Sequence, residues 1–154
     1  MTAQRTATGG QTLLISTFRI GNTLCGIDAM RVQEVVRVGE VTRVHRAPEN
    51  LIGIINLRGK IVTVLDLGVT LELGRLTVTP ASRIFILEWQ GEYVGLLADA
   101  AGDVVSLQPE TVGPPPANFH GVQGRFFTGV CQHQDTLIAI LNADAVLSEE
   151  ARAR

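Results

Sequence analysis

Lysine is almost missing. Of the 13 basic residues in this 154-residue chain, Lys60 is the one lysine. The arginines are scattered rather than clustered, and the formal net charge is −2. No basic stripe exists to track phosphates or an anionic bilayer, so nucleic acid and direct membrane contact are excluded as partners. Aromatics make up only 5% of the chain. A small barrel that binds oligonucleotides by stacking, the alternative from a different functional class, would need those aromatics on one strand face. Cysteine is scarce too: Cys25 and Cys131 lie in apolar, strand-like contexts without metal-ligand spacing, as expected of buried reduced thiols. The longest apolar-rich run, Leu51 to Leu57, is far too short to span a bilayer. The first residues, Met1 to Gly10, are polar, carry no segment of signal-peptide type and are expected to be disordered. A cytoplasmic protein is the expectation.

Catalytic patterns are missing as well. There is no Walker loop, no G-x-G-x-x-G after a strand, no G-x-S-x-G elbow and no H-E-x-x-H. His45, His120 and His133 do not pair at ligand spacing, and Asp28, Asp66 and Asp99 read as helix caps or turn residues. Neither a metal nor another cofactor is expected, and the chain reads as a binding or scaffold module rather than an enzyme.

Hydrophobic residues, at 45%, suffice for a core, and a chain of this length buries roughly 70% of the surface its unfolded form exposes. The dominant pattern is short β-branched runs of period two between Gly or polar turns. Strands are expected at Gln11–Ile20, Leu24–Ile27, Val41–Arg46, Leu51–Leu57, Lys60–Leu65, Ser82–Trp89, Glu92–Leu97, Val104–Leu107, Phe126–His133 and Thr136–Leu141. Short helices are expected from Ala29 to about Val35, capped by Asp28, and from Ala143 to about Ala151, capped by Asn142. Gly121 to Arg125 reads as a flexible loop, and Gly113-Pro114-Pro115-Pro116 as a stiff connection.

The two halves align with each other. Ile20 to Ile27 matches Trp89 to Leu96, Gly53 matches Gly129, Lys60 to Asp66 matches Thr136 to Asn142, and Leu71 matches Leu147. A repeat of five-strand units suggests two similar small barrels packed together. Within the first unit, Asn56-Leu57-Arg58-Gly59 joins two very apolar strands. Gly59 suits a tight turn with positive φ. Arg58 has two readings that the residues leave open: bonding to loop carbonyls across the hairpin, or anchoring a partner.

This hairpin carries a family resemblance. Leu51-Ile52-Gly53-Ile54-Ile55-Asn56-Leu57-Arg58-Gly59-Lys60, continuing to Leu67, resembles the signature of CheW-like domains, the coupling proteins of bacterial chemoreceptor arrays. Gly26-Ile27-Asp28, Val32-Gln33-Glu34-Val35, Val41 to Val44, Ala47-Pro48, Val94 to Asp99, Asp103 to Leu107 and Phe127-Thr128-Gly129 follow in the family's order, so the resemblance covers roughly residues 11–148.

The resemblance implies an all-β fold of two five-stranded SH3-like barrels with short helices. The expected division is a first barrel mainly at 20–71 and a second mainly at 82–141, with Gln11–Arg19 and the C-terminal segment free to cross over, and a tail at 149–154. The implied role is a stand-alone, non-enzymatic adaptor between the cytoplasmic tip of methyl-accepting chemotaxis receptors and a CheA-type histidine kinase, with self-association in arrays. Carried over by motif, receptor binding falls to Val32, Glu34, Gly53, Arg58 and Val104, and kinase binding to Val35, Val38 and Ile61. A CheW-like adaptor of a surface-motility, pilus or second-messenger pathway is the alternative within the same class. The chain departs from the family pattern at Cys25, usually aromatic, and at Thr63, often proline; both positions read as strand packing.

Overall fold

A computed structural model of the chain describes residues 12–119 and 121–152. The disorder expected for residues 1–10, the strand start at Gln11 and the side chain of His120 lie outside the described residues. The strands are β1 (Leu13–Ile20), β2 (Thr23–Asp28), β3 (Val32–Arg37), β4 (Leu51–Leu57), β5 (Lys60–Asp66), β6 (Arg83–Trp89), β7 (Glu92–Ala98), β8 (Ala100–Leu107), β9 (Asn118–Phe119), β10 (Val122–Gln123), β11 (Phe127–His133) and β12 (Thr136–Leu141). Helix α1 (Leu67–Thr70) follows β5, and α2 (Ala143–Arg152) follows β12.

The expected hairpins form because period-two runs meet at turns of the right chemistry. Arg58-Gly59 and Gln90-Gly91 both have positive φ at each residue, the geometry that matches the twist of flanking strands. Three local expectations are corrected. Asp28 does cap a helical turn, accepting from the Met30 N–H at 2.9 Å, but the turn is a 3-10 element of Ala29–Arg31 rather than a helix to Val35. Val32, Val35 and Val36 prefer a strand, and β3 gains β6 as a partner that the local pattern cannot reveal. The strand expected at Val41–Arg46 shrinks to a single bridge, Thr42 to Ile54, with both N–H···O bonds at 2.8 Å. Gly121–Arg125 is no open loop: it holds β10 and a 3-10 turn, and it buries Val122 next to Phe126.

Two five-stranded sheets result. Sheet I has the order β3-β6-β7-β5-β4 and sheet II the order β8-β1-β2-β12-β11. The orders are the same once the halves are superposed, since β1, β2, β3, β4 and β5 correspond to β6, β7, β8, β11 and β12. Each sheet has one parallel seam, β5 with β7 and β12 with β2. The first hairpin of each repeat is therefore exchanged: β1–β2 completes sheet II and β6–β7 completes sheet I. Sheet membership thus differs from the expected split at 20–71 and 82–141, because Thr23–Asp28 and Arg83–Ala98 each lie in the other half's sheet.

Small side chains repeat with the topology. A Cβ on Gly53 would lie 2.3 Å from the Thr42 carbonyl oxygen, and one on its counterpart Gly129 would lie 2.5 Å from that of Gly113. Both glycines let an incoming segment bridge the outer edge of a strand, β4 or β11, that would otherwise stay open. The aligned residues Asp66 and Asn142 cap α1 and α2, the first through the Gly68 and Val69 N–H groups and the second through that of Ala145.

The core has three parts. Ile55, Val62, Val64, Ile84, Ile86 and Leu97 fill the inside of sheet I, and Ile15, Leu107, Cys131, Ile138 and Ile140 fill the inside of sheet II. The largest part lies between the sheets, where the rings of Phe18 and Phe85 meet at a tilt of 48° with centres 5.0 Å apart. Each fully buried aliphatic or aromatic side chain stabilises by about 1.5–3 kcal/mol relative to exposure. Both thiols are free and buried, as expected, and burial pushes Cys25 up to about 12.

Candidate docking surfaces

Sheet I curls so that its two edges approach. Glu34 on edge strand β3 accepts from the Arg58 guanidinium at the β4–β5 turn, although β3 and β4 are the outermost strands of the sheet. Arg58 therefore bonds a carboxylate on the opposite edge rather than the loop carbonyls expected of a structural role. The turn beneath it is held separately, by the Asn56 carboxamide oxygen accepting from the Gly59 N–H at 2.9 Å. The ion-paired side chains stay accessible, Arg58 at 70% and Glu34 at 32%, so the pair contributes only about 0.2–1 kcal/mol to stability. Its main consequence is orientation: the Arg58 fork is held at the mouth of the curled sheet, with other N–H donors free in direction.

That mouth is a cavity of about 320 Å3 lined by Gln33, Glu34, Leu57, Arg58, Lys60, Ile86 and Tyr93. Lys60 Nζ donates to the Tyr93 hydroxyl at 3.1 Å and sits 4.4 Å from the centre of its ring. Sequence reasoning missed Lys60 and Tyr93, whose adjacency depends on the β5–β7 seam between the two repeats.

The other expected contact residues separate by place. Val35 and Ile61 are large exposed aliphatics, 40% and 61% accessible, on the faces of β3 and β5 opposite the core of sheet I. Val38 is half-buried and packs on that core. Val32 opens β3 and packs against the core between the sheets. Val104, 59% accessible, lies on β8, the edge of sheet II. It occupies the β8 position that corresponds to Val35 on β3, since Val105 faces Ile15 as Val36 faces Ile84. Gly53 is buried, so its contribution to a surface is the close seating of Val41 and Thr42 against β4.

The class these features define is a two-sheet, all-β binding module: accessible aliphatic side chains and charged groups sit on paired sheets, and no three described His, Cys, Asp or Glu side chains gather as metal ligands would. The profile of the CheW-like domain matches residues 15–151, and the chain belongs to that family. It is 31% identical to the chemotaxis protein CheW of Klebsiella aerogenes over 146 residues, covering 95% of this chain and 87% of that protein. It is 27% identical to the CheW of Rhizobium meliloti over 97% of this chain and 96% of that protein. Among solved structures, the scaffolding protein TtCheW of Thermoanaerobacter tengcongensis superposes with a TM-score of 0.79 and 32% identity, over 90% of each chain.

Proposed function

We propose that the chain is a non-enzymatic scaffold of chemotaxis signalling that couples methyl-accepting receptors to a CheA-type histidine kinase. The observation that carries this reading is the family match across both sheets, from residue 15 to residue 151, in a molecule that exposes the aliphatic side chains of Val35, Ile61 and Val104. The solved relative is itself described as a scaffolding protein, and the curated relatives as chemotaxis proteins.

The receptor's helical tip is assigned to the surface around Val32, Glu34, Arg58 and Val104, with Gly53 supporting it from below. A helix laid against apolar side chains is an established recognition mode, and the Arg58 fork beside it suits a carboxylate or the last carbonyls of a helix. The kinase is assigned to Val35, Val38 and Ile61. Val35 and Ile61 are exposed aliphatic side chains that a partner would cover, and Val38 supports them from the core. A cytoplasmic location belongs to the same reading; no described helix is long and apolar enough to cross a membrane. Co-purification with a CheA-type kinase and a receptor signalling fragment tests the proposal. A ternary complex at micromolar concentration supports it, and absence of kinase binding contradicts it.

A further inference from the structure

The two halves leave their sheets differently. In sheet I the chain passes from β5 through α1, turns at Glu72 and Gly74, both with positive φ, and comes back over the end of the sheet. There Leu76 packs on the core of sheet I, and its N–H donates to Asp66 at 3.0 Å. Gly68 leaves room for this return, since a Cβ on it would run into the Gly74 carbonyl oxygen and the Leu76 side chain. In sheet II the chain passes from β12 into α2, which continues to Arg152 with no such return. Asp144 stands where Gly68 does, and its carboxylate bonds Arg31 at 3.2 Å instead.

The end of sheet II consequently keeps an open socket of about 290 Å3, whose lining includes Ile15, Asp28, Thr128, Ile140 and Asn142. The strand registers match these residues to Ile84, Leu97, Ile52, Val64 and Asp66. Ile15 faces Asp28 as Ile84 faces Leu97, and Gly129 faces Ile140 as Gly53 faces Val64. Ile84, Leu97, Ile52 and Val64 all belong to the cluster on which Leu76 packs. The socket is thus the seat of Leu76, repeated without its leucine. Leu13, 37% accessible, adds apolar surface to the lining.

One atom separates Asn142 from Asp66. The Asn142 Oδ1 accepts from the Ala145 N–H at 3.1 Å, just as the Asp66 Oδ1 accepts from its own helix. Asn142 then carries an amide nitrogen where Asp66 offers the oxygen that receives Leu76. That amide has no hydrogen-bond partner among the described residues, and as a donor it calls for a carbonyl rather than an N–H.

We infer that this seat is a docking site for an extended segment of another protein, which inserts a leucine side chain and sets a backbone carbonyl against the Asn142 amide. An aliphatic anchor in a preformed pocket is a common way to hold such a segment. Residues 1–11 of the chain contain no leucine, isoleucine, valine or aromatic residue to supply that anchor. The seat includes none of the residues assigned above to receptor or kinase, and the inference does not depend on that assignment.

The test titrates the full chain with a blocked peptide, Gly-Arg-Leu-Thr-Val, that copies Gly74–Val78, and follows the backbone amides by NMR. Saturable shifts are expected at Ile15, Ile27, Ile140 and Asn142. A peptide with alanine for leucine should bind roughly tenfold more weakly. Thr128→Trp, at an exposed position of the lining, should close the seat and abolish binding. Asn142→Asp still caps α2 but loses the donor, and should weaken binding several-fold. Circular dichroism confirms that both variants are folded. Absence of saturable shifts at the seat, equal binding of the two peptides, or undiminished binding by either variant would overturn the inference. Binding that emerges only after residues 1–10 are deleted would overturn it in favour of the chain's own N-terminal segment. Shifts of the same amides on raising the protein concentration alone would overturn it in favour of a second copy.

Discussion

Asp66 does more than the cap that its place in the sequence suggests. Its carboxylate is almost fully buried and accepts from the Gly68, Val69 and Leu76 N–H groups, so it ties α1 to the loop that follows. Burial pushes its pKa up, against the three backbone donors and the Arg75 charge that pull it down. The folded chain thus keeps this proton to higher pH than the unfolded chain does. The contribution of Asp66 to stability is fully present below the ordinary carboxylate value and is lost as pH rises through the raised one. Asp66→Asn should flatten that slope in urea titrations run across the acid range. It should also cost about 1–3 kcal/mol near neutrality, because an amide nitrogen cannot accept from Leu76. Gly53 makes a second residue-scale test. Gly53→Ala drives a methyl into the Thr42 carbonyl and should cost about 1–3 kcal/mol by the same measurement. The sequence made Gly53 legible as special but not why, since the segment that crosses it is a single bridge with no strand pattern of its own.

Hairpins were the most legible elements, because alternation and turn residues lie close together in the chain. Leu51–Leu57 with Lys60–Asp66, and Phe127–His133 with Thr136–Leu141, fall almost where the pattern places them. The misreadings came where a distant partner decides the outcome. Val32–Arg37 carries spacing compatible with a helix and becomes a strand because β6 lies beside it. Gly121–Arg125 reads as polar and flexible, yet it leads into Phe126, which is 1% accessible in the core between the sheets. Phe126→Ala should therefore destabilise by about 3–5 kcal/mol in thermal or urea unfolding, where truncation in a mobile loop would cost almost nothing.

At the scale of the molecule, the repeat was visible in the sequence but the exchange of hairpins between its copies was not. Matching strands identify a unit; they do not say which copy each hairpin joins. Because sheet I needs β6 and β7 and sheet II needs β1 and β2, neither half holds a complete sheet. Fragments cut within Glu72–Pro80 should each lack cooperative unfolding by circular dichroism and regain it on mixing, while the intact chain unfolds in one transition. The candidate site was legible in part for the same reason. The motif residues Glu34 and Arg58 proved to be partners, whereas Lys60 and Tyr93 meet only across the exchanged hairpin. The exchange also joins the two sheets, and with them the surfaces proposed for receptor and kinase, through one shared core. The most direct measurement of that role is kinase autophosphorylation in receptor arrays reconstituted with wild type or Arg58→Glu. Wild type should raise kinase activity in a receptor-dependent way, and Arg58→Glu should lose most of that activation while its melting temperature changes by no more than a few degrees. Activation by Arg58→Glu equal to wild type, or none by wild type, would contradict the account.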